Sequence, residues 1–216
     1  MHMLFQVSSS VEKRNARDAL VIPFWKKEGS LVPACDAALF EEEYAPVLAC
    51  GDFQGNEGEC ICLWSKNPAE KRIFLLGLGS EESLTAEQMR RSWSVLTRLL
   101  IHRKIKSANI LFPNYPVSNY LAKASIEGLL FGTYVFDKYK HDALKEKPTS
   151  HIECLTLLTP EIHATHELCD SVQKVLTAVF FARDLVNGNA DEVTPEYLAQ
   201  AALDLAKTFP RVTAEI

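Results

Sequence analysis

RIFLLGLG, residues Arg72 to Gly79, is an apolar run with no polar alternation. A strand with one wet face alternates apolar and polar residues, whereas a strand covered on both faces does not. The run therefore reads as the middle of a layered sheet, and DALVIPFW (Asp18 to Trp25) has the same character. Outward from these two lie further strand candidates: LFQV near the start, GECICLW (Gly58 to Trp64), SANILF (Ser107 to Phe112) and HIECLTLL (His151 to Leu158). All are short and rich in Ile, Leu, Val or Cys.

Helical spacing falls between the strands. Thr85 and Gln88 stand as the N-cap and N3 residues of a capping box, after which Met89, Trp93, Leu96 and Leu100 recur at spacings of four and three. A second helix is expected over Asn119 to Phe136, with Gly128 and Gly132 four apart and suited to close packing on the sheet. A third follows Pro160 with Leu168, Val172, Val175, Leu176, Val179 and Phe180 on one stripe, ending near Asn187–Gly188. Thr194-Pro195-Glu196 then supplies an N-cap, a proline at N1 and an acid in the first turn. Leu198, Ala201, Ala202, Leu205 and Phe209 follow on one side, a stripe that needs cover. RVTAEI (Arg211 to Ile216) reads as the start of a strand, and Lys138 to Ser150 as a loop. Strands alternating with helices up to about residue 158 give an α/β layered domain with a mixed sheet and flanking helices.

Composition narrows the function. The 216 residues are 47% hydrophobic and 24% charged with a formal charge of -5, ordinary globular material without an overall pull toward nucleic acid or anionic membrane. No apolar run reaches the ~18–20 residues that span a bilayer, so a cytoplasmic location is expected. The six cysteines (Cys35, Cys50, Cys60, Cys62, Cys154, Cys169) are expected to be free thiols.

Candidate chemistry is thin. EIHATHELCD groups Glu161, His163, His166, Cys169 and Asp170, but at i, i+3, i+6 the outer two of His163, His166 and Cys169 are ~600° apart around a helix of ~100° per residue. A solvated helix surface fits better than a metal site. Cys60 and Cys62 form C-x-C with no second pair at zinc-ribbon spacing, so core packing is expected. Gly77-Leu78-Gly79 resembles the opening of a dinucleotide loop, yet Glu82 stands where the third glycine belongs. A tight strand-to-helix turn is the expectation there. No G-x-S-x-G elbow occurs.

Three segments carry a family resemblance. Ala182 to Ala199, ARDLVNGNADEVTPEYLA, resembles the passage from the N-terminal domain into the catalytic domain of leucyl (cytosol) aminopeptidases. KRIFLLGLG and EGLLFGTYVFDKYK (Glu127 to Lys140) resemble that family's strand-and-glycine turn and its helix end. The chain departs from the pattern at Asn187 to Asp191, where the family carries Asn-x-Pro-x-Asn. The resemblance implies a macro-domain-like N-terminal α/β domain over residues 1–158, a connecting helix and loop over 159–190, and the truncated start of a catalytic peptidase domain over 191–216. It further implies a cytoplasmic, hexameric metalloprotease that uses two divalent ions, zinc or manganese, to hydrolyse the first bond of peptide substrates. The family's F-D-S-G-G and N-T-D-A-E-G-R motifs do not occur; Phe136-Asp137-Lys138 is the nearest echo. No catalytic, cofactor-binding or metal residue carries over, and the chain alone is expected to be inactive. The competing expectation is a stand-alone macro-like module with Gly77 to Glu82 cradling a nucleotide; nucleic acid is an unlikely partner.

Overall fold

A computed structural model describes residues 3–9, 11–113, 120–140 and 150–215. They divide into two compact units, Met1–Leu176 and Thr177–Ile216.

In the first unit the described strands make one seven-stranded mixed sheet. Its path is β1 (Leu4–Ser8), β7 (Cys154–Leu158), β6 (Ser107–Leu111), β2 (Arg17–Lys27), β5 (Glu70–Ser80) and β4 (Cys60–Trp64), with β3 (Ser30–Pro33) beside β2. The first five on the path are parallel; β4 and β3 pair antiparallel. The two apolar runs are neighbours in the middle, with Leu20 opposite Ile73 and Ile22 opposite Leu75. Leu20, Val21, Ile22, Phe24, Ile73, Phe74, Leu75 and Leu76 have no exposed surface, as expected of strands covered on both faces.

Alternate residues divide between two layers. Leu20, Ile22, Phe24, Ile73 and Leu75 join Ala37, Phe40, Tyr44, Phe53, Leu111 and Leu158 in one cluster. Its aromatic centre has Phe24 edge-on to Tyr44 and to Phe53, with ring centroids 5.2 and 5.5 Å away. Much of that layer comes from the segment around α1 (Glu41–Cys50), which starts on three glutamates, contains Pro46 and ends on Gly51 at φ 75°. Opposite, α2 (Ala86–His102) lies against β5 and buries Met89, Trp93, Leu96 and Leu100, and its Thr85–Gln88 capping box forms as the sequence requires.

Helix α3 (Tyr120–Phe131) packs on α2, which corrects the expected glycine contact with the sheet. A Cβ on Gly128 would lie 2.6 Å from Arg90 O and 2.8 Å from Trp93 Cβ, and one on Gly132 would lie 2.5 Å from Thr97 Cβ. Replacing Gly128 with alanine is therefore expected to cost about 1–3 kcal/mol, because backbone cannot rotate aside. A urea midpoint unchanged from wild type would show that the two helices separate freely. The helix is also shorter than expected: residues 132–136 turn out of it after Phe131, and Asn119 lies outside the described residues. So do residues 141–149 of the expected loop.

Helix α4 (Ile162–Asn187) buries Thr165, Cys169, Val172 and Leu176, and Gln173 Nε2 donates to Met3 O at 3.0 Å. The second unit begins within this helix and ends with α5 (Pro195–Thr208). Thr194 caps α5 by accepting from the Tyr197 amide at 3.3 Å. The chain after α5 forms no strand over 211–215, contrary to expectation. Pro210 and the exposed Arg211 to Thr213 meet no partner strand among the described residues, and a lone edge gains no ladder bonds.

Candidate functional site

The clustered acids, histidines and cysteine of α4 do not converge. His163 and His166 are exposed, each facing a carboxylate one turn on: Nδ1 to Glu167 Oε2 is 3.6 Å and Nδ1 to Asp170 Oδ2 is 3.4 Å. Cys169 points the other way, 2% exposed, and burial pushes its thiol up to about 12, with Asp170 adding a smaller push. A thiol held protonated is a poor ligand and nucleophile. Among the described residues no three His, Cys, Asp or Glu side chains are placed to hold a metal, so two catalytic ions do not fit here. All six cysteines are free, and burial raises Cys60 and Cys35 to about 12 as well.

The glycines of β5 also serve packing. Gly77 N–H donates to Glu59 O at 2.8 Å and Gly79 N–H to Gly55 O at 3.1 Å. A Cβ on Gly77 would strike Asn56 O and the Gly55 backbone. Both amides that would greet a phosphate are thus occupied by the loop before β4, and Gly79 reaches φ 83° to keep that contact. The turn expected at Gly77 to Gly79 comes later, at the 3-10 turn Glu81–Ser83.

Sequence reasoning missed a buried ion pair of the first unit. Arg14 grips Glu70 with two hydrogen bonds, Nε to Oε1 at 2.6 Å and Nη2 to Oε2 at 2.7 Å, and gives Nη1 to Val11 O at 2.6 Å. Asn109 Nδ2 donates to the same Glu70 Oε1 at 2.6 Å and to Asn15 O at 2.9 Å, while its Oδ1 is buried without a partner. The arginine side chain is 3% exposed and the glutamate 1%. With both oxygens engaged, Glu70 is a clasp that ties the segment before β2 to β5 and β6, not a group free to move a proton. Its partners lie 56 and 39 residues away, which leaves no local pattern to read.

In the second unit, Phe181, Tyr197, Ala201, Leu205 and Phe209 line a groove of about 320 Å³. Leu198, Leu205 and Phe209 are 46%, 40% and 54% exposed, so the stripe read from the sequence is real and is only partly covered among the described residues.

Comparison with known proteins gives these features their context. The family model described as "Cytosol aminopeptidase family, N-terminal domain" matches residues 21–143. The chain belongs to the cytosol aminopeptidase family. Within it, a probable cytosol aminopeptidase of Protochlamydia amoebophila (strain UWE25) is 34% identical over 99% of this chain and 43% of its own length. That of Chlamydia abortus (strain DSM 27085 / S26/3) shares 34% over the same proportions. The chain thus spans less than half the length of the curated relatives it matches, and the family model it matches is that of the N-terminal domain. The fold agrees: a mutant of tomato leucine aminopeptidase superposes with TM-score 0.73 at 18% identity, over 96% of this chain and 42% of that one. The bottromycin maturation enzyme BotP, in complex with Mn, gives TM-score 0.62 at 23% identity over 89% and 37%. No helix of the described residues is long and apolar enough to cross a membrane.

Proposed function

We propose that this chain is the non-catalytic N-terminal part of a two-metal aminopeptidase that removes N-terminal residues from peptides in the cytoplasm as a hexamer. On this reading residues 1–158 are the N-terminal α/β domain, 159–190 the connecting helix and loop, and 191–216 the start of the catalytic peptidase domain. The match of the family's N-terminal domain model to residues 21–143 carries the reading. Two features support it. The α4 histidines are spent on carboxylates of their own helix. The stripe of α5 has the form of a helix whose cover belongs to another domain: leaving Leu198, Leu205 and Phe209 in water forfeits several kcal/mol, at roughly 1.5–3 kcal/mol for each large apolar side chain. Zinc or manganese then binds elsewhere in the whole enzyme. Elemental analysis of the chain purified without a histidine tag tests this, with less than a tenth of an equivalent of either metal expected. A full equivalent that disappears in the His163→Ala, His166→Ala double variant would overturn it.

A further inference from the structure

Strand β4 ends the sheet, and its outer edge is open. Antiparallel pairing makes alternate residues turn their backbone groups inward. Here the inward set is odd-numbered, since Gly77 N–H donates to Glu59 O and Ser65 N–H donates to Lys71 O. The N–H and C=O groups of Cys60, Cys62 and Trp64 therefore point away from β5, and none has a hydrogen bond among the described residues. An unpaired row of this kind is a template for another extended chain.

The side chains at one end of this edge say which kind of chain. Trp64 is 78% exposed and stacks on the guanidinium of Arg72, its register partner, at 5.3 Å from the ring centroid. Arg72 Nη1 donates to Arg103 O at 3.1 Å, which brings the end of α2 to the same corner. Arg103 and Lys104 are exposed at that corner, and Arg72 and Arg103 both act electrostatically on the Cys62 thiol of β4; Lys71, next to Arg72 in the strand, leaves the sheet on the opposite face. None of Arg72, Arg103 and Lys104 has an ion pair among the described residues, whereas Lys27, Arg90, Arg91, Lys106, Lys123 and Lys207 each have at least one. The nearby carboxylate of Glu43 is taken by Ser65 Oγ at 3.3 Å and the Lys66 amide at 3.2 Å. A protein of net charge -5 thus collects unpaired positive charge around an exposed aromatic ring at the end of an open strand.

We infer that β4 is a docking edge for an extended acidic peptide segment of a partner protein. The peptide backbone pairs with Cys60, Cys62 and Trp64, its carboxylates meet Arg72, Arg103 and Lys104, and an apolar residue lies on Trp64. Charge decides the class, because a basic or neutral strand would leave these cations unpaired and desolvated.

Fluorescence reads the event directly. Trp25 is 8% exposed and Trp93 is fully buried, so a surface ligand changes the emission of Trp64. Titration with a blocked peptide of alternating Glu and Val is expected to give a saturable change, absent with alternating Thr and Val. Raising salt from about 0.05 to 0.5 M should weaken it at least tenfold. The Arg103→Glu, Lys104→Glu double variant, altered only at exposed positions, should also bind about tenfold more weakly. Cys62→Pro removes an outward N–H without touching the β5 ladder and should abolish binding; if that variant fails to fold, the charge-reversal variant decides alone. No saturable change, or binding indifferent to the charge reversal, overturns the proposal. So does tighter binding of a single-stranded oligonucleotide than of the acidic peptide, or concentration-dependent self-association through β4, which would give the edge to a second copy.

Discussion

Replacing Glu70 with alanine is expected to lower the stability of the first unit by about 3–5 kcal/mol, the cost of stranding one member of a buried ion pair. The carboxylate is 1% exposed and accepts three hydrogen bonds, two from Arg14 and one from Asn109, at 2.6–2.7 Å, and Arg14 itself is 3% exposed. Without Glu70 the guanidinium keeps Val11 O at 2.6 Å and the Phe40 ring at 4.9 Å, but no counter-charge. Arg14→Ala should cost a similar amount by leaving the carboxylate alone with Asn109. The double replacement Arg14→Met, Glu70→Leu should recover much of the loss, since buried ion pairs often break even against apolar residues of like volume. Urea unfolding of the four proteins measures this. A loss below about 1 kcal/mol in Glu70→Ala would mean that water reaches the clasp in solution.

Trp93→Ala is the second large effect, about 3–5 kcal/mol. The indole is fully buried on α2 and Trp93 Cβ bounds the space over Gly128, so the side chain sits at the crossing of α2 and α3. Two helices that already touch through glycine and backbone cannot close further to fill the space, and a cavity remains. Its Nε1 is buried without a hydrogen-bond partner, so no polar bond is lost with the ring and the cost is one of packing. Trp93→Phe should accordingly recover more than half of the loss, and equal destabilisation by the two variants would contradict a packing role.

Much of the first unit was legible because its evidence is local. Unbroken apolar runs at Asp18 to Trp25 and Arg72 to Gly79 gave the two adjacent central strands, and Thr85 with Gln88 gave the start of α2. The capped start of α5 was legible for the same reason, since Thr194, Pro195 and Glu196 act within one turn. Helix α1 was not seen: Pro46 breaks the helical reading, and the core it serves is set by Phe24, Tyr44 and Phe53 meeting across the fold. The role of Gly77 was misread because the loop that fills the space over it lies some twenty residues earlier in the chain, and those of Gly128 and Gly132 because their neighbour is a helix. Arg211 to Ile216 looked like a strand since β propensity describes a fit to neighbours, and residues 211–215 meet no partner strand among the described residues. The α4 cluster was read as a solvated surface by counting angles around the helix; that holds for His163 and His166, whereas Cys169 turns into the core, a correction that the same angles around the helix explain.

Incubation of the purified chain with a leucine anilide and excess manganese or zinc tests the central claim most directly. The account predicts no turnover above the metal-only blank, because the chain carries neither family motif that supplies metal ligands. Turnover that survives repurification and falls away in the His163→Ala, His166→Ala variant would contradict it.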